Sequence, residues 1–182
     1  MTAFRGTRTG WLVMAVAVGL SLQVEAGVLS KIPFFRRWAA ENRVESLIVT
    51  GNYAKSRLLA EIVQHYTRQP ILLISPAASG GYDLFFLPHG SEAVAVTDVK
   101  YEEFLDFLNP SRLVLVGDSQ YLPMTFLDRA RGRHTMVTVN GSDWHNNANA
   151  MAGVFKNAQI AETYGDCLNQ LDRATAGRPS DR

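Results

Sequence analysis

Small polar residues, two of them aspartates, follow four apolar runs of this 182-residue chain, at positions 50–52, 75–76, 117–119 and 140–143. Asp118 comes just after the run 112–116, and the polar stretch 140–143 follows the run 135–139. Amide and carboxylate oxygens accept hydrogen bonds from sugar or polyol hydroxyls, and an indole offers an apolar face to a sugar ring. Turns after strands also use such residues for purely structural reasons, and Asp143 can cap a helix that begins at Trp144, so both interpretations stay open. The candidate ligand-binding residues are Asn52, Asp118, Ser119, Asn140, Asp143 and Trp144.

A catalytic alternative centres on Ser119. A serine nucleophile needs a base within hydrogen-bond reach, and that base must be held by a third group. His145 can serve as the base and either Asp143 or Asp118 as the third group, since all of these residues follow predicted strands. The block Gly117-Asp118-Ser119 is similar to the nucleophile block of GDSL-type hydrolases. That family has the block near its start and a later DxxH block, whereas only one residue separates Asp143 from His145 here.

No cofactor or metal ion is predicted. The four histidines lack metal-ligand spacing, Cys167 is the only cysteine, and neither a dinucleotide fingerprint nor a P-loop is present. We interpret Cys167 as a small buried apolar residue, and His65 and His134 as surface residues. The arginines at 129, 131 and 133 are interpreted as a solvated rim, with a contact site for an anionic polymer as the alternative.

Alternating apolar runs and amphipathic segments must position these residues. The predicted strands are 47–50, 71–74, 82–87, 93–97, 112–116 and 135–139, of which 112–116 is the central one. The predicted helices are 53–66, 99–108, 122–130, 144–156 and 158–174. This order predicts a three-layer α/β/α fold with a mostly parallel central sheet, of the Rossmann- or flavodoxin-like kind. Ligands of such sheets bind outside the carboxyl ends of the strands, where the candidate residues lie.

The first 26 residues have the features of a secretory signal peptide. Arg5 and Arg8 precede the apolar run 11–22, and Val24-Glu25-Ala26 forms a small-residue cleavage site. The run is shorter than the roughly 20 residues of a membrane span, and an uncleaved anchor is the alternative. We therefore expect export to the periplasm or cell surface. The predicted organisation is a signal peptide (1–26), a lead-in segment (27–45), one α/β domain (46–174) and a flexible tail (175–182).

The charge balance excludes partners that need a strong electrostatic field. Removing residues 1–26 takes away two arginines and one glutamate and leaves 16 basic and 16 acidic residues. A mature chain without net charge is not expected to bind nucleic acid. The lead-in segment is basic and aromatic, so it either packs on the domain or lies on a membrane surface.

Four segments together resemble the cell-wall-binding repeat type 2. Leu47–Asn52 matches its first strand and turn, Gln69–Ile74 its second strand, and Arg112–Gly117 its strand ending in two glycines. The segment Val139–Ala152 is similar to its block that opens a helix. The chain departs from the family at Asp118, where a second glycine is usual, at Trp144-His145, which replaces Arg-Tyr, and at Ala54-Lys55-Ser56.

The resemblance implies an α/β fold and a secreted, non-catalytic protein that binds an envelope polymer or an envelope protein. Members of that family usually carry several tandem copies, and this chain has room for one. A homo-oligomeric structural component of the envelope, with copies replacing the tandem repeats, is therefore a further alternative.

We expect the mature chain to begin at Gly27, because Val24-Glu25-Ala26 is the only small-residue site well placed behind the apolar run. N-terminal sequencing of the protein recovered from the producing cell checks this. Intact Met1 on membrane-bound protein would instead identify the segment as an uncleaved anchor.

Overall fold

The computed structural model describes residues 44–176. The predicted signal peptide, all but the last two residues of the predicted lead-in segment, and residues 177–182 lie outside the described range.

The described residues form six strands and five α-helices. The strands are β1 (Ser46–Gly51), β2 (Ile71–Pro76), β3 (Tyr82–Leu87), β4 (Val94–Thr97), β5 (Arg112–Val116) and β6 (Met136–Val139). The helices are α1 (Ala54–Thr67), α2 (Tyr101–Leu108), α3 (Met124–Ala130), α4 (Trp144–Phe155) and α5 (Gln159–Ala176). Every predicted strand and helix is present, with bounds that differ by a few residues.

The six strands form one sheet in the order β4-β3-β2-β1-β5-β6. Strands β2, β1, β5 and β6 are parallel to one another, β3 is antiparallel to β2, and β4 is antiparallel to β3. The predicted α/β class with a mostly parallel sheet is confirmed. β5 is an interior strand, as its apolar run predicts, but it stands next to the edge strand β6, and β1 lies nearer the middle.

Apolar side chains are buried on both faces of this sheet. All six residues of β1 are buried, and neighbours along the strand point to opposite faces. Leu47 and Val49 belong to an apolar cluster that contains residues of α2 and α3. Ile48 belongs to a second cluster, formed with residues of α1, α4 and α5. A parallel sheet buried in this way explains why its strands read as continuous apolar runs.

Three helix ends differ from the prediction. A single 3₁₀ turn, Asp98–Lys100, precedes α2, which begins at Tyr101. Pro123 lies just before α3 as its N-cap, with an extended ψ of 132°, instead of inside the first turn. Helix α5 runs to Ala176, two residues into the predicted tail. No helix within residues 44–176 combines the length and the apolar character that a bilayer crossing requires.

We expect Leu115→Ala to lower the free energy of unfolding by about 2–5 kcal/mol, because truncating a buried leucine leaves a cavity. Leu115 is 1% exposed and lies on an interior strand. Urea unfolding of the purified chain measures the change. Val99→Ala is the control, since Val99 is 86% exposed and its loss should change stability by less than about 0.5 kcal/mol. A cost below about 1 kcal/mol for Leu115→Ala would contradict its place in the core.

Candidate functional site

The crevice between the carboxyl ends of β1 and β5 is filled by Tyr121. The chain leaves β1 toward β2 and leaves β5 toward β6, on the opposite side, so this is where a parallel sheet usually binds its ligand. A Cβ atom on Gly51 would lie 2.3 Å from the Tyr121 carbonyl oxygen, and one on Gly117 would lie 2.8 Å from the Tyr121 Cβ. The Tyr121 segment therefore packs directly on both glycines and occupies the crevice.

An open cavity of about 470 Å³ lies beside this filled crevice, at the carboxyl ends of β5 and β6. Its volume is within the range of roughly 300–1,000 Å³ found for small-molecule sites. We call it the carboxyl-end cavity. It is lined by Gly117, Asp118, Gln120 and Tyr121 after β5, by Gly141, Ser142, Asp143, Trp144, His145 and Asn147 after β6, and by Lys55, Leu168 and Asp172 from α1 and α5.

The structure brings together only part of the predicted ligand-binding set. Asp118, Asp143 and Trp144 line the carboxyl-end cavity. The other three candidates, Asn52, Ser119 and Asn140, are not among its lining residues. For Asn52 the structure provides a reason, because the Tyr121 segment packs against the glycine that precedes it.

Asp118 shapes its own loop and still presents an acceptor. Its Oδ1 accepts a hydrogen bond from the Gln120 N–H at 2.8 Å. Its carbonyl oxygen accepts from the N–H groups of Tyr121 and Leu122 at 3.0 and 2.8 Å. Within residues 44–176 no group donates to Oδ2, and the residue is exposed. One carboxylate oxygen therefore holds the loop while the other is available to a ligand.

Asp143 caps α4, as its position before the helix predicts. Its Oδ1 accepts from the Asn146 N–H at 2.8 Å, and its Oδ2 accepts from Asn146 Nδ2 at 2.9 Å. The cap leaves the Asp143 carboxylate exposed at the cavity. Its structural role is therefore established, and contact with a ligand would be additional to it.

Three aromatic rings form a row along this end of the sheet. The ring centroids of Tyr53 and Tyr121 are 5.2 Å apart, and those of Tyr121 and Trp144 are 4.8 Å apart, both in edge-to-face geometry. Trp144 Nε1 points at the Tyr121 hydroxyl oxygen at 3.4 Å, a weak hydrogen bond. Tyr121 and Trp144 give the cavity an apolar wall, and edge-to-face packing keeps that wall in place.

Asn147 is a lining residue that sequence reasoning missed. It is 4% exposed, and its Oδ1 accepts a short hydrogen bond of 2.6 Å from the Gly141 N–H. That bond directs the Nδ2 donor away from Gly141, and Nδ2 has no partner in the described part of the chain. The sequence offers one signal for this burial. Asn147 lies on the same helix as the apolar residues Ala148 and Met151, which are also buried.

The remaining wall comes from α1 and α5. Lys55 Nζ lies 3.1 Å from Asp172 Oδ1, with the two side chains 43% and 55% exposed. The hydroxyl of Tyr164 donates to the Lys55 carbonyl oxygen at 3.3 Å, and burial holds the pKa of this phenol above its ordinary value. Nothing in the α5 sequence distinguishes these residues from those of any helix packed on a domain.

The predicted catalytic set is not assembled. Ser119 is exposed, and none of the hydrogen bonds within residues 44–176 joins it to His145. The His145 ring instead lies beside Tyr164, with centroids 6.3 Å apart, and the Asp143 carboxylate is engaged by Asn146. Hydrolysis by Ser119 gains no support from this geometry and stays a prediction.

No group of three histidine, cysteine or acidic side chains in the range 44–176 is arranged to hold a metal ion. Cys167 is half-buried and packs against the cluster of α1, α4 and α5, so it is less enclosed than predicted.

The arginine at 129 is a structural residue and not part of a solvated rim. Its guanidinium donates to Glu102 at 2.6–2.7 Å and also to Asp98, and it lies over the Tyr101 and Phe126 rings at 5.2 and 5.6 Å. The other two arginines are exposed and ion-paired, Arg133 with Asp106 and Arg131 with Asp128. All three arginines are therefore paired with acidic side chains, which weakens the alternative of a contact site for an anionic polymer.

The prediction that His134 lies at the surface is wrong. Its side chain is 7% exposed, and its Nε2 is 3.9 Å from Asp106 Oδ1 without a hydrogen bond. His65, by contrast, is exposed as predicted. Position just before a strand does not reveal burial, because the depth of a strand end depends on the helices that pack beside it.

Comparison with family models, with curated proteins and with solved structures finds no match to this chain. The similarity to the cell-wall-binding repeat type 2 accordingly stays a hypothesis that rests on the residues quoted above.

We expect Glu102→Gln to change how stability depends on pH. Hydrogen bonds from Arg129 hold the pKa of Glu102 near 2, below its ordinary value of 4.5. A lowered folded-state pKa stabilises the fold above about pH 4.5, and this contribution is lost as the pH falls toward 2. The variant should therefore be less stable at pH 7, by about 1 kcal/mol because solvent screens the pair. It should also lose less stability on acidification, measured by urea unfolding from pH 7 to 2.5.

Glu103→Gln is the matched control, because Glu103 is exposed on the same helix. Identical pH profiles for the two variants would mean that the Arg129–Glu102 pair does not stabilise the fold.

Proposed function

We propose that this chain is an exported, non-catalytic binding protein of the cell envelope. Its ligand, a hydroxyl-bearing envelope polymer, would occupy the carboxyl-end cavity. The export part of the proposal rests on the signal-like residues 1–26, and the envelope part rests on the resemblance described above.

We further propose the three-layer α/β/α arrangement of Rossmann- or flavodoxin-like folds. The two apolar clusters support it, one with α2 and α3 and the other with α1, α4 and α5. In such folds the binding site lies at the carboxyl ends of the parallel strands. The position of the cavity, beside the ends of β5 and β6, is consistent with that rule even though Tyr121 fills the usual crevice.

One observation supports the choice of ligand. The cavity has an aromatic wall, and beside it lie a hydrogen-bond acceptor and a hydrogen-bond donor. Trp144 and Tyr121 form the wall, Asp118 Oδ2 is an open acceptor, and Asn147 Nδ2 is an open donor. Each sugar hydroxyl can both donate and accept, and the C–H faces of a sugar ring pack on aromatic rings. A purely apolar ligand would leave the amide and the carboxylate without partners, at a cost in free energy.

The proposed lack of catalysis has its own support. Within residues 44–176 no base is hydrogen-bonded to the Ser119 hydroxyl, and no nucleophile is hydrogen-bonded to His145 in the cavity wall. Association of several copies on one polymer would supply the multivalency that tandem repeats supply in the similar family.

Asp118→Asn provides the test of this proposal. Asparagine keeps a side-chain oxygen for the Gln120 N–H, so the loop should form and the unfolding free energy should change by less than about 0.5 kcal/mol. The amide NH2 of asparagine then takes the place of Oδ2, so a ligand hydroxyl meets a neutral donor where it had met a charged acceptor. Retention on isolated cell envelopes should fall about fivefold, because a hydrogen bond to a charged group is worth about 1 kcal/mol more than a neutral one. A pull-down with the purified full-length chain, alongside melting curves, measures both quantities.

Asp83→Asn is the control, because Asp83 is an exposed aspartate on β3 that does not line the cavity. Equal retention of both variants would show that the carboxyl-end cavity is not the binding face. Loss of retention together with a lowered melting temperature would point to damaged folding instead.

A further inference from the structure

We infer that the carboxyl-end cavity selects sugars that carry a primary ammonium group over neutral and acidic sugars. This inference rests on the proposed function, since it names the class of sugar that the same cavity would take.

The side chains around the cavity carry more negative than positive charge. Three carboxylates line it, those of Asp118, Asp143 and Asp172, and Lys55 is the only lysine or arginine among its lining residues. Lys55 already lies 3.1 Å from Asp172. Within residues 44–176 no lysine or arginine is ion-paired with Asp118 or Asp143, so a cationic ligand is attracted and an anionic ligand is repelled.

The second step locates the ammonium group at Asp118. The charge of Asp143 sits on the N-terminus of α4, where the helix dipole offsets part of it. Among the described residues only the Gln120 N–H donates to the Asp118 carboxylate, at Oδ1, and no group donates to its Oδ2. The aromatic wall begins three residues later at Tyr121, and aromatic faces also attract cations.

The third step requires an oxygen on the same ligand. Asn147 is almost fully buried and is one of the residues that line the cavity, and its Nδ2 donor has no partner in the described residues. A ligand that covers this group without an acceptor would leave a buried donor unsatisfied. An amino sugar meets both requirements, with a hydroxyl oxygen at the buried Asn147 and the ammonium at the exposed Asp118. A simple amine meets only one of them.

Four probes that share a six-membered ring separate these requirements. They are 6-amino-6-deoxyglucose, glucose, glucuronate and cyclohexylmethylamine, and the first three differ only at one carbon. Their affinities for the purified full-length chain are measured by calorimetry at pH 7 and low salt. We expect the amino sugar to bind about two- to fivefold more tightly than glucose, the range for an exposed ion pair. Glucuronate and cyclohexylmethylamine should both bind more weakly than the amino sugar, and glucuronate more weakly than glucose.

Two controls assign the preference to the cavity. The ratio between amino sugar and glucose should fall to about one in Asp118→Asn and stay unchanged in Asp83→Asn. It should also shrink at high salt, because exposed charges are screened.

Equal affinities for amino sugar and glucose, or tighter binding of glucuronate, would overturn the inference and leave the proposed function standing. Binding of cyclohexylmethylamine as tight as that of the amino sugar would overturn the role of Asn147. If no probe binds, the inference fails, and the envelope pull-down with Asp118→Asn decides the proposed function separately.

Discussion

Packing of Tyr121 onto two glycines decides where this protein can hold a ligand. Gly51 ends β1 and Gly117 directly follows the neighbouring strand β5, and neither has room for a side chain because the Tyr121 segment lies against both. Gly117 also has a φ of +109°, which a residue with a side chain rarely adopts. Because the usual crevice is filled, the open cavity lies instead at the neighbouring ends of β5 and β6. The ring that fills the crevice also becomes the wall of the adjacent cavity.

The polar groups of the cavity are held in place by the backbone of their own loops. Asp118 bonds to Gln120, Asp143 caps α4, and Asn147 accepts from Gly141. Asp118 and Asn147 each use one side-chain atom for this structural bond and keep the other polar atom for a ligand, whereas both carboxylate oxygens of Asp143 accept hydrogen bonds from Asn146. Such preorganisation reduces the conformational entropy that the protein side chains lose when a ligand binds. It also means that truncation to alanine would remove a structural bond together with any contact to a ligand.

Helix α5 closes the cavity from the side, and its position depends on the core. Ile160 and Tyr164 are fully buried in the cluster shared with α1 and α4, and Leu168 is nearly so. That packing carries Asp172 to Lys55, where an exposed ion pair of little intrinsic strength joins the two helices. Burial of apolar side chains therefore fixes the position of this wall. The charged side chains at its rim contribute little to stability and instead influence which ligand enters.

Local patterns were sufficient to predict the strands, the helices, the cap at Asp143 and the edge of the sheet where polar groups collect. Backbone periodicity and capping act over a few residues, so the sequence records them directly. The same patterns could not reveal that Tyr121 fills the crevice or that α5 contributes Asp172, because the contacts of Tyr121 with Gly51 and of Asp172 with Lys55 join segments far apart in the chain. Burial of His134 and the pairing of Arg129 likewise depend on which helix faces reach the same side of the sheet. Only the packed tertiary structure decides those contacts, since it alone sets which distant surfaces meet.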